Sequence, residues 1–148
     1  MIQPLRADPC FSPCPVRDGD ELYPNGIFVF NVSRMLEYLE TKPTGVEFVE
    51  IAVCDLDHGF LSLNESHVDS VDLSHPVVLA EISPGQYNLI DGQHRVAKAL
   101  RRGVNTLRAY RLTVLQHLRF LTSKDAYLTY IDYWNGKVRS MTSGGMKR

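Results

Sequence analysis

Residues 87–112 decide the fold, and they consist of YNLIDGQHRVAKALRRGVNTLRAYRL. The run 87–90 has the composition of a short strand, and residues 106–112 form a second strand-like segment. Between them, residues 92–102 place apolar side chains at helical spacing, and Gly103 can end that helix in the left-handed conformation. The stretch therefore predicts a strand, a tight turn, a helix and another strand in direct succession.

Apolar runs outside this stretch add further elements. They predict strands at 27–30 and 77–79 and helices near 34–41, 113–121 and 124–134. The segment 46–57 fits either a strand or a helix, and 57–65 is predicted to be loop. The predicted fold class is α/β (α+β), with one small mixed sheet flanked by helices. Its predicted parts are an extended N-terminal arm (1–22), a domain (23–135) and a flexible tail (136–148).

Length and composition narrow the class of protein. A chain of 148 residues, 44% of them hydrophobic, fits one domain. No apolar run approaches the roughly 20 residues that cross a bilayer, and the first residues lack a secretory pattern. A cytoplasmic protein is expected. The three cysteines Cys10, Cys14 and Cys54 suit neither a disulfide framework nor a metal site, so we expect free thiols.

Charge is distributed unevenly along a chain whose formal net charge is −1. Residues 1–91 contain fifteen Asp or Glu and four Lys or Arg, whereas residues 92–124 contain eight Lys or Arg and no acid. Such an asymmetry makes a local positive field that recruits anions. The alternative is a solvated surface whose partners are the acids of residues 1–91.

The segment 91–95, Asp-Gly-Gln-His-Arg, stands where the predicted strand meets the predicted helix. The first turn of a helix leaves backbone N–H groups unpaired and carries a partial positive charge. Gly92 lets a ligand approach the backbone closely, and Arg95 adds a forked donor suited to phosphate oxygens. The sequence therefore predicts an anion site of the kind that helix N-termini provide.

Two residues of this turn allow alternative interpretations. Asp91 either caps the helix or contacts magnesium or a ribose. His94 is either a hydrogen-bonded structural imidazole or a phosphate contact and proton carrier, because its charge changes near neutral pH. Behind the turn, the spacing of Val96 and Leu100 predicts an apolar stripe that faces the core.

The order of these elements resembles the ParB/sulfiredoxin superfamily over Val68–Leu121, about a third of the chain. The matching features are an apolar strand at 76–79, the segment Asn-Leu-Ile-Asp-Gly-Gln-His-Arg at 88–95, a helix that ends at Gly103, and a strand at 106–112. Sulfiredoxins carry Gly-Gly-Cys-His-Arg at this turn, and ParB proteins carry Gly-Glu-Arg-Arg. The string Asp-Gly-Gln-His-Arg is also similar to DndB-like proteins associated with DNA phosphorothioation.

This resemblance implies a nucleotide-binding domain in which the turn contacts phosphates. The implied nucleotide-binding residues are Gly92, Gln93, His94, Arg95 and Lys98, with Asp91 as a further contributor. Gln93 stands where sulfiredoxins have their cysteine, so a thiolate nucleophile is missing and sulfinic-acid repair is not expected. No helix-turn-helix domain follows, so centromere binding of the partition type is not expected either.

The leading hypothesis is a nucleoside triphosphate hydrolase or related phosphoryl-transfer enzyme acting in a DNA-related process. It would use ATP or CTP with Mg²⁺ and work mainly through positioning and charge stabilisation. The predicted catalytic residues are His94, Arg95 and Asp91, and Asp72 and Glu81 are further candidates for a general base.

Two alternatives come from other classes of protein. A DNA-binding accessory or nuclease would use the acid-free basic stretch, and its predicted nucleic-acid-binding residues are Arg101, Arg102, Arg108 and Arg111. Such phosphate contacts give steep salt dependence. The other alternative is a non-catalytic module that uses the same fold to bind a protein partner.

Overall fold

The computed structural model describes residues 2–56 and 65–146, and these form a mixed α+β structure, as predicted. Its strands are β1 (Leu22–Asn25), β2 (Phe28–Asn31), β3 (Glu47–Ala52), β4 (Val77–Ser83), β5 (Gln86–Asp91) and β6 (Thr106–Leu112). Its helices are α1 (Val32–Glu40), α2 (Glu65–Ser70), α3 (Gln93–Arg102), α4 (Val114–His117) and α5 (Lys124–Met146). Short 3₁₀ turns occupy Val53–Asp55 and Leu118–Phe120. Most of the loop predicted at 57–65 lies outside the described residues.

The chain forms two compact units. The first unit comprises Met1–Pro43, Ile82–Gln86 and Val114–Arg148, and the second comprises Thr44–Glu81 and Tyr87–Thr113. The predicted domain over 23–135 thus includes residues of both units.

A four-stranded mixed sheet organises the second unit, with strand order β3-β6-β4-β5. Strand β6 pairs antiparallel with β3 and parallel with β4. Successive side chains of a strand point to opposite faces, so one face carries Leu107 and Ala109 of β6 beside Val77 of β4. Helix α3 packs Val96 and Ala99 into this same core. The opposite face therefore carries the alternate residues of each strand.

The predicted elements around α3 are confirmed. The strand before it, the helix itself and the strand after it all form, and Gly103 ends the helix with φ +68°. The prediction for Leu100 is wrong, because 43% of its surface is exposed. The prediction for Val96 is confirmed. It is buried together with Ala97 and Ala99, which turn the core-facing side of α3 away from Leu100.

The ambiguous segment 46–57 forms β3 over its first part. All six residues of β3 pair with β6, from Glu47 opposite Arg111 to Ala52 opposite Thr106. Helical and extended conformations were both compatible with the local pattern. Hydrogen bonds to a strand about sixty residues later decide between them.

The first unit is built around aromatic side chains. Tyr130 of α5 is fully buried and makes edge contacts with Phe30 and His117. The Tyr130 hydroxyl donates a hydrogen bond to the carbonyl oxygen of Ile82, which satisfies this buried polar group.

Side chains of α5 also hold the predicted arm. The Asn135 amide accepts from the Leu5 N–H and donates to the Leu5 carbonyl, at 2.6 and 2.9 Å. The Trp134 indole N–H donates to the carbonyl of Gln3 at 2.8 Å. Residues 2–21 contain no helix or strand and are nevertheless tied to the unit at these points.

Helix α5 continues through Met146, so the predicted helix end near 134 is wrong. Gly136 within this helix costs only about 1 kcal/mol relative to alanine, and extending an existing helix needs no new nucleation. Among the described residues, no helix combines the length and apolar character needed to span a membrane.

Candidate functional site

Gly92 occupies the position immediately before α3 and adopts the left-handed conformation, with φ +111°. A Cβ atom built there would lie 2.6 Å from Cγ1 of Val77, far inside van der Waals contact. The glycine is therefore required by backbone conformation and by close packing within the chain. The sequence had assigned this close approach to a ligand, and contact between Gly92 and a phosphate stays a prediction.

Arg95 and Asp91 form an ion pair across the first turn of α3. Nη2 of Arg95 donates to Oδ2 of Asp91 at 2.9 Å, and the two side chains are only 16% and 19% exposed. Asp91 does not cap the helix, because Gly92 is the N-cap residue and no side chain accepts a capping hydrogen bond. Of the remaining guanidinium nitrogens, Nε of Arg95 is buried and has no hydrogen-bond partner among the described residues.

His94 lies half-buried beside a second histidine that sequence analysis missed. Its ring meets His67 of α2 edge to face, with centroids 4.4 Å apart. Burial, followed by the nearby charges of His67 and Arg95, lowers the pKa of His94 below its usual value. The imidazole is therefore held in its neutral form by surroundings that disfavour another positive charge. An anion bound there would reverse that effect.

Lys98 projects from α3 toward the chain around the end of α2. Its Nζ donates to the carbonyl oxygens of Asp69 and Val71, at 3.0 and 2.7 Å. This cation therefore satisfies backbone carbonyls at the end of a short helix. Its predicted contact with a nucleotide stays a prediction, and such a contact would need these bonds to rearrange.

Gln93 differs from Asp91 and Arg95 in the hydrogen bonding of its side chain. Its side chain is half-buried and makes no hydrogen bond to any residue that the structure describes. The amide can both donate and accept, so it is the most readily available polar group at the start of α3.

The structure thus places four of the predicted residues at one helix start: Gly92, Gln93, His94 and Arg95. It adds His67 from α2, which no local motif marked, because the residue stands 27 positions before His94 in the chain. The pairing depends on how α2 packs on α3, and this packing could not be predicted from spacing. No acidic residue occupies the first turn of α3 itself.

The four arginines predicted to bind nucleic acid do not share one surface. Arg101 and Arg102 lie in the last turn of α3 and are exposed. Arg108 and Arg111 are three positions apart on β6, so they point to opposite faces of the sheet.

Acids from residues 1–91 neutralise two of the cations in the basic stretch, as the alternative interpretation predicted. Arg111 donates from Nε to Oε2 of Glu47 at 2.9 Å and lies 5.0 Å above the ring of Tyr87. The other pair is that of Arg95 with Asp91. Asp72, a candidate base, accepts hydrogen bonds from the backbone and hydroxyl of Ser74, which lower its pKa and make it a weaker base.

Metal ligands are sparse in the part of the chain that the structure describes. It contains no group of three His, Cys, Asp or Glu side chains placed to hold an ion. Cys10 and Cys54 are exposed and Cys14 is buried, which raises the pKa of the Cys14 thiol. At the start of α3, Asp91 offers a single carboxylate. A Mg²⁺ ion there would depend on oxygens of a nucleotide for most of its ligands.

Comparison with family models, curated proteins and solved structures finds no match to this chain. The similarity to the ParB/sulfiredoxin superfamily therefore stays a prediction based on Val68–Leu121.

Proposed function

We propose that this chain is a ParB/sulfiredoxin-like protein that binds the phosphates of a nucleoside triphosphate at the start of α3. The observation that carries the proposal is the convergence of His67, His94 and Arg95 on a helix N-terminus whose first turn has no acid. The guanidinium and the positive end of the helix act in the same direction there, and a neutral imidazole can add an N–H donor. An oxyanion is the ligand that this field favours.

Each group in the turn has a distinct role in the proposal. The unpaired backbone N–H groups of the first turn donate to phosphate oxygens. The ion pair with Asp91 holds the guanidinium of Arg95 in place, and a donor outside this pair would bond to a phosphate oxygen. The Gln93 amide contributes a further hydrogen bond without giving up one inside the protein.

The same arrangement suits hydrolysis or transfer of a phosphoryl group, with ATP or CTP as the nucleotide. Phosphoryl transfer needs positioning and charge stabilisation more than covalent chemistry, and Arg95 supplies both. The neutral His94 accepts a proton from the attacking group, and Asp91 orients Arg95. Mg²⁺ would enter with the nucleotide. The resemblance supports a role in a DNA-related process, and a cytoplasmic location stays the expectation from the sequence.

Thermal unfolding of the protein with each of the four common nucleoside triphosphates, with and without Mg²⁺, tests the proposal. A ligand that binds the native state raises its melting temperature by mass action. We expect a rise for at least one nucleotide in the wild type and a loss of affinity of at least about tenfold in Gln93→Ala. Gln93 has no internal hydrogen bond to lose, so this variant should fold normally.

Two arginine variants of α3 test which property of the side chain matters for binding. Arg95→Lys keeps the charge and removes the forked donor, and we expect weaker binding. Arg102→Ala removes an exposed cation from the other end of the same helix and serves as the matched control. Calorimetry that detects no heat for the wild type with any of the four nucleotides would overturn the proposal. A loss in Arg102→Ala as large as the loss in Gln93→Ala would reduce it to a general charge effect.

Duplex DNA binding is the second candidate function, and the exposure of Arg101 and Arg102 at the end of α3 favours it. Phosphate contacts from these side chains would give an affinity that falls steeply with salt. Titration of duplex DNA at low and moderate salt tests this candidate. Undetectable binding at low salt excludes it.

A further inference from the structure

A surface that combines aromatic rings with an arginine lies in the second unit, on the sheet face opposite α3. It consists of Phe48 on β3 and of Arg108 and Tyr110 on β6, and we refer to these three residues as the aromatic face. Phe48 and Tyr110 are direct cross-strand neighbours, and their ring centroids are 4.8 Å apart with planes tilted by 44°. The guanidinium carbon of Arg108 lies 5.9 Å from the centre of the Phe48 ring.

Strand alternation explains why these side chains are not in the core. Leu107 and Ala109 of β6 face α3 and are buried. Because side chains alternate along a strand, Arg108 and Tyr110 point to the opposite face of the sheet. Phe48 is 47% exposed, although it sits near the start of a regular strand that pairs along its full length. Its exposure is therefore set by the sheet register, and not by a frayed chain end.

Arg108 has a carboxylate neighbour on this face, Glu50, but forms no ion pair with it. Glu50, which stands opposite Arg108 in the register, accepts a hydrogen bond from the hydroxyl of Thr106 at 3.2 Å. Arg108 forms no ion pair with any carboxylate in the described part of the chain. On the other side, Tyr110 is paired in register with the buried Val78, and the tyrosine itself is half-buried.

We propose that the aromatic face binds single-stranded nucleic acid, by stacking bases on Phe48 and Tyr110 while Arg108 contacts the backbone phosphates. Aromatic side chains on an open sheet surface present flat faces on which any base can stack, and arginine adds both charge and a planar guanidinium. A duplex does not offer such base faces, because its bases are already stacked on each other. The combination of the exposed Phe48 ring, the half-buried Tyr110 ring and an arginine without an ion pair among the described residues selects a ligand that is flat and negatively charged.

This inference is independent of nucleotide binding at the start of α3. The two surfaces share no residue, and they lie on opposite sides of the sheet because α3 packs on the face that carries Leu107 and Ala109. Variants of one surface should therefore leave the other unaffected. Failure of one proposal can be told apart from failure of the other.

Fluorescence anisotropy with labelled oligo-dT and oligo-rU of about 12 nucleotides tests the proposal directly, beside a duplex of the same length. We expect the wild type to bind the single strands more tightly than the duplex. Phe48→Ala should weaken binding at least about fivefold, the lower end of the effect of losing one stacked base. Arg108→Ala should weaken it and make the salt dependence less steep by about one phosphate contact.

Matched substitutions separate stacking from other contacts. Phe48→Leu keeps an apolar side chain but lacks the ring, and we expect it to bind as weakly as Phe48→Ala. Phe48→Trp and Tyr110→Phe keep a ring and should bind as the wild type does. Leu115→Ala truncates a side chain of the first unit that is 69% exposed, and this control should have no effect.

Three outcomes would overturn the proposal. One is a wild type that binds no single strand at low salt, and another is equal affinity for duplex and single strands. The third is a Phe48→Leu variant that binds the single strands as tightly as wild type, which would show that base stacking on the Phe48 ring does not contribute. Circular dichroism and thermal unfolding verify that each variant is folded, and Gln93→Ala should retain wild-type affinity for the oligonucleotides.

Discussion

The two units of the molecule use their polar side chains in different ways. In the first unit, the side chains of Trp134 and Asn135 bind the backbone of the chain's own N-terminal arm, and Tyr130 binds the carbonyl of Ile82. In the second unit, the neutral His94 and the Arg95–Asp91 ion pair are gathered at a helix start beside His67. Hydrogen-bonding groups satisfied by backbone contribute to folding. The polar groups at the start of α3 are the ones that we propose to bind a ligand.

The aromatic side chains follow the same division. Rings of the first unit, such as Tyr130 and Phe30, are buried and pack edge to face. In the second unit, Phe48 remains about half exposed beside Arg108. We therefore propose that the first unit is mainly structural and that the second unit carries the surfaces for ligands.

Replacing Gly92 with alanine should have the largest effect on stability, because it disrupts the packing of the second unit. The added Cβ would meet Val77 at 2.6 Å, and the φ of +111° is strained for any residue with a side chain. Strain and overpacking together should lower the free energy of unfolding by roughly 2–5 kcal/mol. Chemical denaturation measures this change.

Gly103→Ala is the matched control at the other end of α3. Its φ is +68°, but a Cβ there would meet no atom within 4 Å, so only backbone strain remains, about 1 kcal/mol. If both variants were equally destabilised, the contact with Val77 would not be the reason for a glycine at position 92.

Asn135→Ala should have an intermediate effect, confined to the first unit. It removes both hydrogen bonds to the backbone of Leu5 and should cost roughly 1–3 kcal/mol. Hydrogen exchange at the Leu5 amide should become faster, whereas binding of nucleotides should not change. Asn135→Asp keeps the acceptor for the Leu5 N–H and should lose only part of the protection. Unchanged exchange in Asn135→Ala would show that the arm is held elsewhere.

The smallest effect is the pH dependence that His94 contributes. Its pKa is lowered in the folded protein, so below about pH 6.5 the unfolded chain takes up a proton that the folded chain does not. Stability should be complete above that pH and should decline as the pH falls toward the lowered pKa. His94→Gln should show a shallower decline in denaturation experiments.

NMR titration of the His94 imidazole gives a direct measurement of the same property. We expect a pKa below the usual value in the free protein and a higher pKa once tripolyphosphate is bound, because an anion stabilises the imidazolium. A pKa at or above the ordinary value in the free protein would contradict the geometry around His67.

Local sequence predicted those elements whose conformation depends on nearby residues. The strand before the turn, helix α3 and its end at Gly103 follow from strand preference, apolar spacing and a glycine at the stop. The same local evidence failed for α5, where small residues after 134 indicated a tail although the helix continues to Met146. It also misplaced Leu100, because the exact core-facing side of a helix depends on what packs against it.

By itself, then, the sequence determined an α+β chain with a glycine turn leading into a basic helix. Only the tertiary structure decided what surrounds that turn: Val77 against Gly92 and His67 against His94. The physical reason is the separation along the chain of the residues that interact. Backbone preference acts over a few neighbouring residues, whereas charge, burial and ring contacts depend on chain segments that meet only after folding.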